Sequence, residues 1–225
     1  MSAQKIAHFL RLVFSSLSAT MTPIYWQQAI QELTACDEVM CRLIQHFEGA
    51  TLTSRGCAFT TLARSIVGQQ ISVKAAESVW QKVLSVIPDI TPQTIAAAEQ
   101  DLLRTCGLSA RKIAYLQDLS GHFTKGTLKE TTWMEMEDEA LIAQLTKIKG
   151  IGRWTAEMFL IFHLQRPDVL PLDDIGLQRA ISRHYMNNQP VNKKIMLEFA
   201  QHWQPWRSVA TWYLWRSLDP LPVEY

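Results

Sequence analysis

The chain lacks the features that would place it in several large protein classes. No stretch of about 18 or more uninterrupted apolar residues occurs, so no membrane-spanning helix is expected. Net charge is nearly absent: 22 basic against 21 acidic residues leave a formal +1. Any affinity for a polyanion must therefore come from a local patch. Four cysteines, Cys36, Cys41, Cys57 and Cys106, form no CxxC pair. Zinc and iron–sulfur sites are not expected from them; reduced thiols of a cytosolic protein are. The six histidines show no HExxH pairing, so none is assigned to a metal. No Walker-type phosphate loop, no GxSxG elbow and no Gly-rich dinucleotide fingerprint is present. Period-two alternation and repeats of solenoid length are also missing.

What remains is helical periodicity. Apolar residues make up 48% of the chain, enough to bury a core in one large domain or two lobes sharing a cleft. Residues 1–21 form an extension of unclear role. Its apolar run is interrupted by Arg11, which argues against a signal peptide. A loosely held helix, or an extended reading frame with Met21 as the working start, fits better. From Ile24 onward the spacing predicts helices almost throughout. Trp26, Ile30 and Leu33 share a face, as do Met40, Leu43, Ile44 and Phe47. Arg55-Gly56 marks a turn. Ser72 is expected to cap a helix carrying Val73, Ala76, Trp80 and Val83. Thr91-Pro92 opens a helix that runs to Gly107. Ser109 starts another, and a polar linker punctuated by Gly121 and Gly126 follows to about Thr132. Ile175, Ile181 and Tyr185 line a later helix, and aromatics crowd the last one.

One stretch organises the rest: Thr146 to Ala156. An apolar helix ends at Ile148, Gly150 and Gly152 bracket one aliphatic residue, and a second helix begins at once. The two glycines permit positive φ and a tight turn. Such a hairpin leaves N–H groups exposed at a helix start, where the dipole favours an anion. Lys147, Lys149 and Arg153 are expected to ring that spot with positive charge. Asp173-Asp174 lies downstream; Asp174 comes twenty positions after Trp154, room for one helix and a return loop. An acid before a helix is ordinarily just an N-cap, but only one of the two can cap. Gly68-Gln69-Gln70-Ile71-Ser72 reads as a polar turn or as a DNA probe. In the second case Gln69 and Gln70 would reach bases and Ile71 would wedge into the stack.

These residues resemble a known family. Gly150-Ile151-Gly152-Arg153-Trp154-Thr155-Ala156 followed by Leu172-Asp173-Asp174 looks like the helix-hairpin-helix, Gly/Pro-rich loop, catalytic-Asp superfamily of DNA glycosylases. Val67 to Ser72 and Trp203 to Ser208 point to its bacterial 3-methyladenine DNA glycosylase II branch. The resemblance covers roughly residues 22–220, with lobes at about 60–165 and at 22–59 plus 166–220, and a tail at 221–225. It implies an all-α fold of two helical lobes flanking a cleft, with a helix-hairpin-helix motif that binds DNA. It also implies excision of alkylated bases by hydrolysis of the N-glycosidic bond.

Carried over position by position, Asp174 is the catalytic carboxylate and Ile71 the wedge, with Gln69 and Gln70 probing. Trp154, Met158, Ile175 and Trp215 line the base pocket. Lys149, Gly150, Ile151, Gly152 and Arg153 form the phosphate-binding hairpin. Carbonyls of Thr146, Ile148 and Ile151 match a monovalent-cation site, for Na+ or K+. No other cofactor and no iron–sulfur cluster is expected. The sequence departs from the branch in lacking room for an N-terminal β lobe. Met158 and Ile175 also stand where aromatics are usual. Trp154 replaces the lysine of strand-nicking relatives, so a monofunctional enzyme that leaves an abasic site is implied. The expected partner is double-stranded DNA containing alkylated bases, with no membrane. A cytoplasmic, nucleoid-associated monomer is expected. Two alternatives remain open: a non-catalytic DNA-binding module, and a glycosylase for other damaged or mismatched bases.

Overall fold

The computed structural model describes residues 22–54 and 57–218. Expectations for residues 1–21, for Arg55-Gly56 and for the tail beyond 218 lie outside these. Among the described residues the chain is helical, with no strand. The first two helices, α1 (Trp26–Cys36) and α2 (Glu38–His46), are split by Asp37, whose carboxylate accepts from the Val39 and Met40 N–H groups. Helix α3 (Ala58–Gly68) follows, then α4 (Val73–Val86), capped by Ser72 as expected, its hydroxyl accepting from Ala75 N–H. Next come α5 (Pro92–Ala97), α6 (Gln100–Thr105), α7 (Ala110–Thr124) and the short α8 (Glu130–Trp133). The chain continues through α9 (Asp138–Leu145), α10 (Arg153–Phe162), α11 (Ile175–Tyr185) and α12 (Lys193–Phe199). A 3-10 turn (Ala200–Trp203) and α13 (Arg207–Leu218) complete it.

The helices pack in two sets. In one, α1 and α2 pack on each other and on α13, which also packs on α11. Trp26, Leu33, Met40, Trp203 and Tyr213 are fully buried there. In the other, α3 packs on α4, α7 and α10, with Leu62, Ile66, Leu103, Ile113 and Trp133 inside. Helix α10 is apolar nearly all round, burying eight consecutive residues from Thr155 to Phe162. A helix of that kind must be covered on every side. It lies against α3 and α9, and Phe162 stacks on Trp215 of α13 at 5.8 Å. Both sets of helices therefore meet on α10.

The structure corrects four local expectations. The single helix read from Pro92 to Gly107 is two, because Ala98 and Glu99 are extended; the break lets both Ile95 and Leu103 bury beside α7. Helix α7 runs through Gly121 to Thr124, and the supposed polar linker contains the buried Leu128 and ends against the buried Trp133. Val73, grouped with Ala76, Trp80 and Val83 on its helix, is 70% exposed. Ile175 is likewise exposed; α11 buries Leu177, Ala180 and Ile181 instead. Both errors concern the first residue of a helix, where no preceding turn holds the side chain against the core.

Candidate active site

The hairpin between α9 and α10 is built from the inside out. Ile148 and Ile151 are buried, and the Ile151 N–H donates to the Ile148 carbonyl at 3.1 Å. Gly150 takes φ +85°, and an added Cβ there would stand 2.2 Å from the Tyr115 ring. Gly152 does not share that conformation: its φ is −87°, and it is the N-cap residue of α10. Nothing lies within 4 Å of a Cβ added at Gly152. Of the two glycines, then, the first is required by the fold, and the second leaves an approach to the backbone open.

The hairpin amides are unequally available. Lys149 N–H donates to Asp118 at 2.8 Å. The N–H groups of Gly150 and Gly152 have no acceptor among the described residues. They sit before the ten-residue α10, where the dipole favours an anion. The expected ring of positive charge is only partly there. Arg153 is held by Glu139 and, at 2.9 Å, by Glu157; Lys149 lies 3.7 Å from Asp118. Lys147 and Lys149 remain exposed. Burial pushes the Glu157 carboxyl upward, opposed by Arg153, and its Oε2 is buried without a partner.

Asp174 is the N-cap of α11. Its Oδ1 accepts from Leu177 N–H at 2.6 Å and from the Trp215 indole at 2.8 Å. Its Oδ2 accepts from the Trp154 indole at 2.8 Å. The ordinary capping role and a place beside the hairpin helix thus coincide in one side chain. Gly176 keeps this arrangement possible, since a Cβ there would press on Asp174 Oδ1 at 3.1 Å and on the Trp215 ring at 3.3 Å. Asp173 points elsewhere and pairs with Lys193. No basic side chain pairs with Asp174 among the described residues, and the side chain is 8% exposed.

A cavity of about 310 Å³ opens between α3, α4 and α10, lined by Trp154, Met158, Gln70, Ile71, Arg64 and Glu77 among others. It is within the range of small-ligand sites. Trp215 is not on its wall but holds Asp174 from behind. Ile175 is 62% exposed and lines a separate, open depression with Gln178, Arg179 and Arg183, so its placement in the base pocket is corrected. Residue 175 follows the cap directly and projects from the start of α11 toward solvent. Gln69 and Gln70 also part company. The Gln69 side chain is committed to the Gly150 carbonyl at 2.7 Å, whereas Gln70 is exposed at φ +59° beside the 40% exposed Ile71.

Sequence reading missed the strut behind all this, which is α7. Lys112 donates to the Val67 carbonyl at 2.7 Å, at the end of α3. One turn on, Tyr115 underlies Gly150, and Asp118 holds Lys149. The spacing of three on a helix was visible, but nothing in it named the partners. At the hairpin, the Thr146 and Ile151 carbonyls have no hydrogen-bond donor among the described residues, and Ile148 accepts one. That donor set fits a monovalent cation.

Comparison with known proteins agrees with this geometry. Residues 63–205 match the model of the HhH-GPD superfamily of base excision DNA repair proteins. A Bacillus subtilis protein with a provisional DNA-3-methyladenine glycosylase name is 32% identical over 185 residues. The match takes in 79% of this chain and 64% of that one, so the chain spans somewhat under two thirds of that relative. The crystal structure of a DNA-3-methyladenine glycosidase from Bacillus halodurans superposes with a TM-score of 0.77 at 34% identity, covering 85% of this chain and 89% of that one. The Schizosaccharomyces pombe 3-methyladenine DNA glycosylase, in complex with abasic DNA, gives a TM-score of 0.73 at 31% identity, over 88% and 98% of the two chains. On that family match and those shared folds, this chain belongs to the HhH-GPD superfamily of base excision DNA repair proteins.

Proposed function

We propose that the protein is a monofunctional DNA glycosylase that removes alkylated bases of the 3-methyladenine type and leaves an abasic site. The observation that carries this reading is the Asp174 carboxylate, held by the Trp154 and Trp215 indoles next to the hairpin helix. The target base lies inside the duplex and must be rotated out before a carboxylate can approach its sugar. Ile71 fills the gap, Gln70 probes beside it, and the Gly150 and Gly152 amides hold a backbone phosphate. The extruded base enters the cavity against Trp154 and Met158. Alkylation at a ring nitrogen gives the base positive charge and makes it a good leaving group, so little acid assistance is needed. As the N-glycosidic bond lengthens, the sugar becomes oxocarbenium-like. Asp174 stabilises that cation in a partly dry cleft, where a fixed charge acts strongly. It also orients or deprotonates the attacking water.

Trp154 has no nucleophilic amine, so no Schiff base with the sugar forms and the strand stays intact. In this reading the two sets of helices are the lobes, at about 60–165 and at 22–59 plus 166–220, and the duplex crosses the cleft between them. The carbonyls of Thr146, Ile148 and Ile151 hold a monovalent cation that adds positive field beside the phosphate. The protein acts as a monomer on double-stranded DNA in the bacterial cytoplasm.

The test is release of labelled bases from methylated DNA, resolved by chromatography, for the native protein and for Asp174→Asn. Base release that disappears in the variant while DNA binding persists supports the assignment. A native protein that binds DNA and releases nothing makes it a non-catalytic module.

A further inference from the structure

The cavity beside Trp154 has a charged wall that the mechanism above does not use. Arg64 of α3 and Glu77 of α4 both line it, and their side chains pair at 2.5 Å. Glu77 accepts in addition from Gln81 at 2.7 Å. The pair is neither a buried strut nor a loose surface contact: the two side chains are 37% and 43% exposed, on the cavity rim shared with Gln70 and Ile71. The rest of the wall carries no charge: Trp154, Met158, Ala76 and Val73 offer aromatic and aliphatic surface. Arg64 and Glu77 are thus the charged groups that an occupant of this cavity meets.

We infer that Arg64 and Glu77 set the charge preference of the base pocket, Glu77 admitting cationic bases and Arg64 tempering that attraction. The inference rests on the glycosylase reading for the identity of the occupant. A ring-alkylated purine carries a positive charge until its glycosidic bond breaks, whereas a deaminated or etheno-type base is neutral. A paired wall is neutral overall and accepts both. Removing one partner leaves a net charge facing the base. At an effective dielectric near 20, a unit charge about 7 Å away shifts an equilibrium by more than tenfold, and partial exposure trims this to about tenfold. The pair also presents donor and acceptor side by side, which matches the adjacent donor and acceptor on a purine edge.

The experiment compares Glu77→Gln, Arg64→Gln and the double variant, each first shown to melt like the native protein and to bind a tetrahydrofuran-containing duplex equally well. Single-turnover release is followed from duplexes bearing 7-methylguanine and from duplexes bearing hypoxanthine. Glu77→Gln is expected to lose about tenfold on the cationic lesion, because Arg64 is left unopposed. Arg64→Gln is expected to hold or raise that rate, and the double variant to return near native. If the pair only clamps α3 to α4, both single variants fall alike on every substrate, which overturns the proposal, as does no change in either. A second readout does not require catalysis: quenching of tryptophan fluorescence by 1-methyladenosine, cationic at neutral pH, against neutral inosine. Binding of the cation should weaken in Glu77→Gln and not in Arg64→Gln. Absence of base release by the native protein refutes the glycosylase reading, and the nucleoside titration then decides the wall on its own.

Discussion

The Gln69 side-chain amide donates to the Gly150 carbonyl at 2.7 Å, joining the loop before α4 to the hairpin before α10. The segment proposed to enter the DNA stack and the segment proposed to hold a phosphate are thereby one unit. Gln69→Ala removes that joint while leaving both backbones intact. A net hydrogen bond of about 1 kcal/mol corresponds to roughly a three- to tenfold loss of affinity. Fluorescence anisotropy with an abasic-site duplex should show that loss, with the melting temperature little changed. Unchanged affinity would mean that the two segments engage DNA independently.

Gly150 and Gly152 should respond oppositely to alanine. At Gly150 the new Cβ meets Tyr115 at 2.2 Å and the backbone is left-handed, so a cost of about 2–4 kcal/mol and poor folding are expected. At Gly152 the Cβ enters open space, so stability should fall by about 1 kcal/mol or less, through the weaker cap. DNA affinity should nonetheless drop severalfold there, because the methyl group stands where a phosphate would approach. Thermal melts and binding isotherms on the two variants check this together.

Asp174→Asn separates chemistry from structure. The amide can still accept at one atom, but its NH2 group faces an indole N–H where Oδ1 or Oδ2 accepted before. An unsatisfied donor costs about 1–3 kcal/mol, so the variant should melt lower yet remain folded. Base release should fall by about two orders of magnitude or more. Retained activity with lowered stability would confine Asp174 to its capping role.

Borohydride reduction during reaction with lesion-bearing DNA should trap no covalent protein–DNA complex. The strand should stay uncut until alkali is added. Both results follow from an indole at position 154, which has no amine to condense with the opened sugar. A trapped complex would locate a nucleophile elsewhere in the cleft.

Asp37 governs acid stability, away from the site. Its burial raises the carboxyl, but hydrogen bonds from His202, Trp203, the Met40 N–H and Tyr185 outweigh that and hold it low. A depressed carboxyl stabilises the fold above its unfolded value, near 4, and loses that contribution as pH falls through the folded value. Melting temperature should therefore decline below about pH 4, and Asp37→Asn should be less stable at neutral pH with a flatter acid limb.

Much of this protein is legible along the chain because it depends on neighbours in sequence. Three-and-four spacing places most helices, and the Ser72, Thr91, Ser109 and Asp174 caps are local hydrogen bonds over three residues. The hairpin is local too. Errors gather where a side chain has no turn before it, as at Val73 and Ile175, or where distant packing breaks a helix, as at Ala98.

The sequence by itself determined an all-helical chain, a Gly-Ile-Gly bend and an acid positioned to return to it. Only the tertiary structure decided which charges are free. Arg153 is spent on two glutamates, Lys149 shares Asp118, and Gln69 is tied to the bend, whereas Gln70 and Ile71 project from its loop. Likewise the cavity, its Arg64–Glu77 wall and the two indoles on Asp174 join residues from four helices and a cap. Ion pairs and hydrogen bonds act through space over a few ångströms. Most of their partners lie 13 to 81 residues apart in the chain, where periodicity carries no information about them.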